Sequence, residues 1–402
     1  MDLVEEIAAR AEEARRVISE HVYLTPVDYS DALSEALGAD VFLKLENLQK
    51  TGSFKIRGAL YKVYKIRNDV QGVVAASAGN HALGVAYASR VFGLECVVVM
   101  PEFATIAKVE AARRLGAEVV LHGAIYDDAE RRAREIAEER GFAFVHPFDD
   151  PDIIAGQGTV GLEIAEQLGD VDVVVVPVGG GGLISGISAV LKKINPDVRI
   201  VGVEPENAPK FRTSLKAGRI ERVEIRPTIA DGLVTKRPGK TTFQIVRRLV
   251  DSVIAVSEDE IAGAIHFLLE REKVLAEGAG AAGVAALLSD RLDVDGRVAV
   301  VVSGGNIDLT AIYRLIIRGL ANSGRLAVIR GYVPDSPGKL SEITGIIAAH
   351  RGNIIDVIHH REDLRAPAWH TALQIVVEVE SSETLDRILE ELRGRGYTFE
   401  RM

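Results

Sequence analysis

The strongest constraint on the fold of this chain is an alternation of short apolar runs with segments of helical periodicity, from Asp40 to about Val302. Such runs, rich in valine and isoleucine, are typical of parallel strands in sheets that helices cover on both faces. The predicted strands are Val41–Leu45, Val73–Ala76, Cys96–Met100, Glu118–Leu121, Val173–Val178, Ile200–Glu204 and Val298–Val302. We therefore predict an α/β architecture, with residues 75–145 forming a compact sub-domain nested in a larger one.

A change in residue composition near Gly319–Gly324 predicts the start of a second domain, because most residues of this segment are small or polar, as in a linker. The elements expected after it are a strand at Leu326–Val333, a helix carrying Leu340, Ile343 and Ile347, strands at Asn353–His359 and Trp369–Val379, a helix capped by Ser382 and a short strand at Tyr397. This βαββαβ order is ferredoxin-like. We place one domain at residues 1–320, with its nested part at about 50–150, and the other at 325–402.

The amino-acid composition limits which binding partners and which cellular compartment we expect for this chain. The net charge of -10 argues against a nucleic acid or an anionic membrane as the main partner, and so favours a small molecule. The one cysteine, Cys96, excludes an intrachain disulfide and suits a reducing cytoplasm. The amphipathic residues 1–21 lack a secretory apolar core, and the longest apolar run, Val171–Ile184, is broken by Pro177 and by glycines, so we expect no membrane segment.

Lys55 is the first candidate for chemistry. The apolar spacing after Gly52 predicts a helix that begins near Lys55, and the positive end of a helix dipole disfavours an ammonium group. A lysine whose pKa is lowered in this way can act as a nucleophile that forms a Schiff base. An ordinary capping segment with a solvated lysine is an equal alternative for this segment alone.

A glycine cup follows the strand Val173–Val178. Gly179–Gly182 have no side chains, so their backbone N–H groups can approach an anion, and the predicted helix that follows adds its N-terminal donors. The segment has neither the Walker lysine nor dinucleotide-fingerprint spacing. Phosphate binding is therefore favoured over the alternative, a flexible turn.

Two further strand ends carry polar side chains. Ser77–His81 follows a predicted strand and could hold a carboxylate or a phenolic oxygen, although an N-capped helix would use Ser77 or Asn80 equally well. Ser303 ends another strand before Gly304 and Gly305, where its hydroxyl could face a ligand, and a plain turn is as good an explanation.

A Schiff-base lysine, a phosphate cup, an anion-binding loop and a neutral hydroxyl together are the inventory that pyridoxal 5'-phosphate requires. Six segments, in the right order within residues 15–318, resemble the motifs of threonine dehydratases (threonine ammonia-lyases): Thr51–Gly58, Ser77–His81, Gly156–Thr159, Gly179–Leu183, Thr228–Leu233 and Ser303–Asn306. The resemblance implies the fold-type II, tryptophan synthase β-like fold, with two parallel-sheet sub-domains, and pyridoxal 5'-phosphate as cofactor.

The same resemblance implies residue roles. Lys55 is expected to bind the cofactor covalently and to remove the substrate's α-proton, while the cofactor phosphate is the expected acid for the leaving hydroxyl. Asn80 is expected at the pyridoxal 3'-oxygen and Ser303 at the pyridine nitrogen. The full cofactor set is Phe54, Lys55, Asn80, Gly179, Gly180, Gly181, Gly182, Leu183 and Ser303, and the substrate set is Ser77, Ala78, Gly79, Asn80, His81, Gly232 and Glu277.

The expected reaction is elimination. A neutral Ser303 hydroxyl does not stabilise a protonated pyridinium, so long-lived carbanions are disfavoured and loss of a β-hydroxyl is favoured. We predict conversion of L-threonine to 2-oxobutanoate and ammonia, with L-serine to pyruvate as a side activity. Serine racemases carry a second serine base where this chain has Ala78, so racemase or serine dehydratase activity is the alternative, together with a catalytically silent amino-acid sensor. Sulfhydrylase and cystathionine-synthase relatives are a weaker match.

Serine racemases also hold a divalent cation with a glutamate, a backbone carbonyl and an acidic residue. Glu204 and Ala208 match the first two, but Lys210 stands at the third position. We hypothesise that the Lys210 ammonium replaces the cation, and we predict no metal.

Residues 325–402 resemble an ACT domain, a module that senses amino acids. The expected effector residues are Asp335, Pro337, Gly338 and Asn353, and a dimerisation module without a ligand is the alternative. RNA binding is disfavoured because the central strands lack stacking aromatic residues. A metal site is disfavoured because His359 and His360 face opposite sides of a strand, so at most one could join His370. The resemblance implies inhibition by isoleucine opposed by valine, and we expect a cytoplasmic location, as the cysteine content indicates, and a homodimer or homotetramer.

Overall fold

The computed structural model describes residues 2–289 and 291–402. The chain divides into two compact units, the first ending at Ile307 and the second comprising Asp308–Met402. Within the described residues, no helix combines the length and the apolar character needed to cross a bilayer.

The first unit contains ten strands and twelve α-helices among its described residues. The strands are β1 Val27–Tyr29, β2 Asp40–Leu45, β3 Gly72–Ala76, β4 Glu95–Met100, β5 Glu118–Leu121, β6 Ala143–Phe144, β7 Val173–Pro177, β8 Arg199–Pro205, β9 Ser252–Val256 and β10 Arg297–Val302. The helices are α1 Leu3–Ile18, α2 Asp31–Leu37, α3 Lys55–Ile66, α4 Asn80–Phe92, α5 Ile106–Arg114, α6 Tyr126–Arg140, α7 Pro151–Leu168, α8 Gly182–Ile194, α9 Lys210–Ala217, α10 Lys240–Leu249, α11 Glu258–Phe267 and α12 Gly278–Leu288.

The larger sheet has the strand order β1-β2-β10-β7-β8-β9, and every strand except the antiparallel edge strand β1 runs parallel to its neighbours. In the register of its centre, Val300 lies opposite Leu43 on one side and Val175 on the other. Because the carboxyl ends of parallel strands meet at one edge, this order brings the residues after β2, β10 and β7 to the same edge of the sheet.

The smaller sheet has the order β5-β4-β3-β6 and is parallel throughout. Its central strand β3 is buried along its whole length, with α4 and α6 packed against it. The seven predicted strands are confirmed, each with ends within one residue of the structure. Three short strands, β1, β6 and β9, were not predicted.

The second unit contains an antiparallel sheet of order β12-β13-β11-β14. Its strands are β11 Leu326–Pro334, β12 Asn353–His360, β13 His370–Glu378 and β14 Phe399–Arg401, and its helices are α13 Leu309–Asn322, α14 Lys339–Ala349 and α15 Ser382–Gly394. The ferredoxin-like βαββαβ order is thereby confirmed. Tyr397 is buried in the core of this unit just before β14, so the strand begins two residues later than predicted. The predicted cap at Ser382 is wrong, because Ser382 is already helical and Ser381, with extended backbone, precedes the helix.

Candidate active site

Lys55 is the first residue of α3, as predicted. Its side chain is half-buried, and its Nζ donates a 2.9 Å hydrogen bond to the Pro147 carbonyl and lies 5.2 Å from the centre of the Phe54 ring. The protein atoms around the amine desolvate it and lower its pKa to about 8, while the nearby Glu277 carboxylate acts in the opposite direction. Burial therefore brings the pKa of this amine close to neutral pH, where the neutral form can act as a nucleophile.

The loop before Lys55 is joined to the loop that follows β10. Phe54 N donates to Ser303 O at 3.2 Å, and Gly305 N donates to Gly52 O at 2.9 Å. Gly52 has φ +72°, and a Cβ there would lie 2.3 Å from Asn306 Oδ1, so only glycine fits. Ser303 itself is buried, with its hydroxyl 3.4 Å from the Ala279 carbonyl. The two motifs thus form one wall of the site.

Asn80 connects this wall to Glu277. Asn80 Nδ2 donates to Glu277 Oε1 at 2.6 Å, and Asn306 Nδ2 donates to Asn80 Oδ1 at 2.7 Å and to Thr51 O at 2.8 Å. Burial raises the pKa of Glu277 to about 7, with Asp231 adding to the rise and the Asn80 bond opposing it. The structure therefore brings Lys55, Asn80 and Glu277 into one cluster.

The Ser77–His81 loop leads into α4. Ser77 Oγ accepts a 3.1 Å bond from Gly79 N, and no side chain caps the helix, so the capping alternative for Ser77 or Asn80 is wrong. Ser77, Ala78, Gly79 and Asn80 are half-buried, and the first N–H groups of α4 have no acceptor within the helix. A carboxylate could bind these N–H groups.

The His81 ring points elsewhere. Its Nε2 lies 2.9 Å from the Val145 carbonyl, and burial lowers its pKa to about 3. His81 therefore stays neutral near physiological pH, and its contribution to the loop comes from its backbone N–H.

The glycine cup connects β7 to α8, whose first residue is Gly182. Gly181 has φ +95°, and a Cβ there would lie 2.6 Å from the Phe211 ring. A Cβ on Gly180 would lie 2.2 Å from the Phe148 ring, and Thr242 Oγ1 donates to Gly180 O at 2.8 Å. Leu183 is buried in the first turn of α8. The cup therefore has a fixed shape and presents the N-terminus of a 13-residue helix to an anion.

Gly232 contributes a neighbouring edge of this cup. Its carbonyl lies 3.2 Å from the position of a Cβ on Gly179, and Gly232 itself is exposed. Asp231, Gly232 and Leu233 form a short 3-10 helix that passes beside the cup.

These residues fit pyridoxal 5'-phosphate. Lys55 supplies a nucleophilic amine, and the cup exposes backbone without side chains, since a Cβ on Gly180 would collide with the Phe148 ring. Ser53 Oγ, fully buried in the loop before Lys55, has no hydrogen-bond partner among the described residues. A polar ligand beside Lys55 would give such an orphaned hydroxyl a partner.

Lys210 and Glu204 form a buried pair behind the cup. Lys210 Nζ donates to Val178 O at 2.7 Å and Leu233 O at 3.0 Å, and it lies 3.4 Å from Glu204 Oε2. Burial lowers the pKa of Lys210, with Glu204 opposing. Ala208 contacts Lys210 through the backbone, its carbonyl accepting from Lys210 N at 3.0 Å. Across residues 2–289 and 291–402, no three His, Cys, Asp or Glu side chains are grouped as metal ligands.

A buried charge network below α3 was not predicted. Arg57 makes paired hydrogen bonds to Glu46, at 2.7 and 2.8 Å, and to Glu163, at 2.6 and 2.8 Å, while Lys44 Nζ donates to Glu163 at 2.6 Å. Arg57 lies two residues after Lys55, so the network fixes the first turn of α3. The signal available in the sequence was Arg57 itself, a charged residue on the apolar side of a predicted helix.

The Gly156–Thr159 motif explains how α7 approaches α3. A Cβ on Gly156 would lie 2.5 Å from Gly58 Cα, so the two helices touch through glycines. Arg57 Nη1 also donates to Thr159 Oγ1 at 3.2 Å. This motif therefore packs α7 against α3 and stabilises the helix that carries Lys55, and neither of these contacts involves Lys55 itself.

Pro147 and Phe148, which contact Lys55 and Gly180, were also missed. They follow the two-residue strand β6, and no motif or periodicity marks them in the sequence.

In the second unit, the expected effector residues lie at two places. Asp335, Pro337 and Gly338 form an exposed turn before α14, in which Asp335 N donates to Trp369 O at 2.9 Å and Gly338 has φ +91°. Asn353 begins β12, where its Nδ2 donates to Glu378 Oε2 at 3.1 Å.

Comparison with known families assigns both units. Residues 18–304 match the family model for pyridoxal-phosphate dependent enzymes, and residues 327–396 match the model for the ACT domain.

Two characterised relatives cover most of the chain. L-threonine ammonia-lyase of Thermotoga maritima is 50% identical over 388 residues, which make up 96% of this chain and 96% of the relative. The catabolic L-threonine dehydratase TdcB of Escherichia coli K12 is 47% identical over 308 residues, which make up 75% of this chain and 94% of that protein.

Solved structures agree on the fold. Maize serine racemase has a TM-score of 0.74 at 36% identity and is matched over 78% of this chain and 98% of its own. The processed form of threonine deaminase isoform 2 from Solanum lycopersicum also has a TM-score of 0.74, at 33% identity, over 78% of this chain and 87% of its own.

Proposed function

This chain belongs to the family of pyridoxal-phosphate dependent enzymes, and we propose that it converts L-threonine to 2-oxobutanoate and ammonia, with L-serine to pyruvate as a side activity. The observation that carries the proposal is the Lys55 amine, whose pKa is about 8 and which lies in one cluster with Asn80 and Glu277. The Thermotoga maritima relative, which matches over 96% of this chain, supports threonine as the substrate.

When bound, pyridoxal 5'-phosphate supplies an electron sink for negative charge at the substrate α-carbon. Lys55 would hold the cofactor through Nζ, Phe54 would lie beside it, and Gly179–Leu183 would bind the phosphate with backbone N–H groups. Asn80 would donate to the 3'-oxygen, and Ser303 would face the pyridine nitrogen. The resemblance to threonine dehydratases implies these assignments, and the positions of Asn80 and the cup near Lys55 support them.

Lys55 also moves the proton. With a pKa of about 8, a free Nζ near neutral pH is present in both protonation states, so it can accept the α-proton and return one. The substrate carboxylate would bind the free N–H groups at the start of α4, within Ser77–His81. Gly232 and Glu277 would close the other side of the substrate.

Racemisation is the second candidate, favoured by the match to maize serine racemase. A two-base racemase needs a second proton acceptor opposite Lys55, and Ala78 carries only a methyl group at the half-buried position proposed for that base. A silent sensor is disfavoured because Lys55, Asn80, the cup and Ser303 are all in place. Elimination therefore remains the better proposal.

We further propose that the second unit binds an amino-acid effector at Asp335, Pro337, Gly338 and Asn353, so that isoleucine inhibits and valine opposes it. The catabolic relative matches over only 75% of this chain, whereas the Thermotoga maritima relative matches over 96%. This difference supports a regulatory role for the second unit, and a biosynthetic role in making isoleucine is part of the same proposal. A cytoplasmic homodimer or homotetramer is part of the same proposal.

A steady-state assay tests the proposed reaction. The purified protein is expected to release one 2-oxobutanoate and one ammonia per L-threonine, and more slowly one pyruvate per L-serine. Borohydride reduction followed by peptide mass analysis should place the cofactor on Lys55. Formation of D-serine without ammonia would favour the racemase instead.

A further inference from the structure

Phe148 packs on the glycine cup, and the residue before it contacts the reactive lysine. The carbonyl of the preceding residue, Pro147, accepts the 2.9 Å bond from Lys55 Nζ. The Phe148 ring packs directly on the cup, since a Cβ on Gly180 would lie 2.2 to 2.4 Å from three of its atoms. A Cβ on Gly182 would lie 3.1 Å from the Phe148 carbonyl. Two consecutive residues, Pro147 and Phe148, therefore border the base and the phosphate site respectively.

The position of Phe148 is fixed from both sides. His146 Nδ1 accepts hydrogen bonds from Phe148 N at 3.2 Å and Asp149 N at 2.8 Å, and the His146 ring meets the Phe148 ring edge-on with centroids 4.7 Å apart. The Asp149 carboxylate accepts from the first N–H groups of α10, including Thr241 N at 2.9 Å. An aromatic ring held in this way presents a rigid apolar surface.

The surroundings of Lys55 differ in polarity from one side to the other. The polar cluster contains Asn80, Glu277 and Asn306. The apolar side chains are Phe54, whose ring centre is 5.2 Å from Nζ, and the half-buried Phe148, which follows the Pro147 carbonyl that contacts Nζ. Threonine differs from serine by one β-methyl group. Contact between this methyl group and an apolar ring stabilises bound threonine, whereas contact with polar groups destabilises it.

We propose that Phe148 is a specificity-determining residue whose ring receives the β-methyl group of threonine and so sets the preference for threonine over serine. This inference rests on the proposed function. A single methyl group in an apolar pocket changes kcat/KM by about 10- to 200-fold. The ring does not take part in proton transfer, so it acts on the ratio between substrates.

The test compares kcat/KM for L-threonine and L-serine in Phe148→Asn and Phe148→Leu variants. The Asn variant is expected to lower the ratio of kcat/KM for threonine to kcat/KM for serine about 10-fold or more, measured at saturating cofactor. The Leu variant, which keeps an apolar side chain, should stay within about threefold of the native ratio. Phe103→Asn is the matched control, because Phe103 is 82% exposed. An unchanged ratio in the Asn variant would overturn the proposal.

The native protein gives a second, independent measurement in case a variant does not fold. It should use L-threonine at least about 10-fold more efficiently than L-serine, and equal or better use of serine would sink the inference. Failure of the proposed function looks different, because the native protein would then release no 2-oxobutanoate from threonine at all.

Discussion

Asn80 Nδ2 donates a 2.6 Å hydrogen bond to Glu277 Oε1, joining the start of α4 to the residue that precedes α12. Asn306 holds the other end of the Asn80 amide at 2.7 Å. The amide is therefore oriented from both ends, with its N–H toward a carboxyl group whose pKa is raised to about 7. This pair therefore makes the site sensitive to pH near neutrality.

The first prediction concerns Glu277→Gln in the cofactor-free protein. The pKa of Glu277 is about 7 in the folded protein and 4.5 in the unfolded chain, so the stability that protonated Glu277 contributes is fully present below pH 4.5 and is lost as the pH rises from 4.5 to 7. The free energy of unfolding of the native protein should therefore fall by about 3 kcal/mol over this range, and that of the Gln variant should not. Urea midpoints at about pH 5 and about pH 8 measure the difference. Parallel pH profiles for the variant and the native protein would contradict it, and Glu102→Gln, at an exposed position, is the control.

The second prediction concerns the glycine cup. Gly180→Ala places a Cβ 2.2 Å from the Phe148 ring and should weaken cofactor affinity by about 10- to 100-fold. Gly263→Ala, in α11, meets nothing within 4 Å and should leave affinity unchanged while raising stability by about 0.5 kcal/mol. Titration of the cofactor-free proteins, followed by visible absorbance, compares the two. Native affinity in Gly180→Ala would exclude the cup as the phosphate site.

The third prediction tests whether the Lys210 ammonium takes the place of a cation. Its three oxygen contacts, to Val178, Leu233 and Glu204, leave no role for a metal, so a chelator should not change activity. Lys210→Met leaves the buried Glu204 carboxylate without its cationic partner, so it should lower the free energy of unfolding by about 3 kcal/mol or more. The exposed Lys216→Met is the control. Activity that depends on an added divalent metal would refute this role for Lys210.

The fourth prediction concerns the second unit. Isoleucine should inhibit threonine turnover and valine should reverse the inhibition, and Asp335→Ala should weaken both effects without changing the rate in their absence. Exposed Asp386→Ala is the control. Steady-state assays with each branched-chain amino acid provide the measurement. A native protein that responds to none of them would remove the sensor proposal for residues 325–402.

Much of the fold could be predicted because its signals are local. Each of the seven predicted strands is a short, mainly apolar run, and β7 and β10 are buried from end to end or nearly so. The strands that were missed are short or only partly buried: β1 has three residues, and the first three residues of β9 are half-buried. Such strands exist because a neighbouring strand pairs with them, and a single segment does not reveal its partner.

The site was predictable where a backbone motif carries it and unpredictable where distant side chains meet. Lys55 begins its helix as the spacing indicates, yet the main cause of its lowered pKa is burial. Glu46 and Glu163 reach Arg57 from separate segments, and Phe148 reaches Gly180 from a loop without a motif. These contacts depend on how the helices and sheets pack.

Production of 2-oxobutanoate from L-threonine by the native protein and by Lys55→Ala tests the proposed chemistry most directly, with Lys50→Ala, at an exposed lysine of the same loop, as control. The native and Lys50→Ala proteins should release equal amounts of 2-oxobutanoate and ammonia. Lys55→Ala should lose the visible absorbance of lysine-bound pyridoxal and at least about 1,000-fold in rate. Persistence of both that absorbance and ammonia release in Lys55→Ala would show that Lys55 is not the reactive lysine.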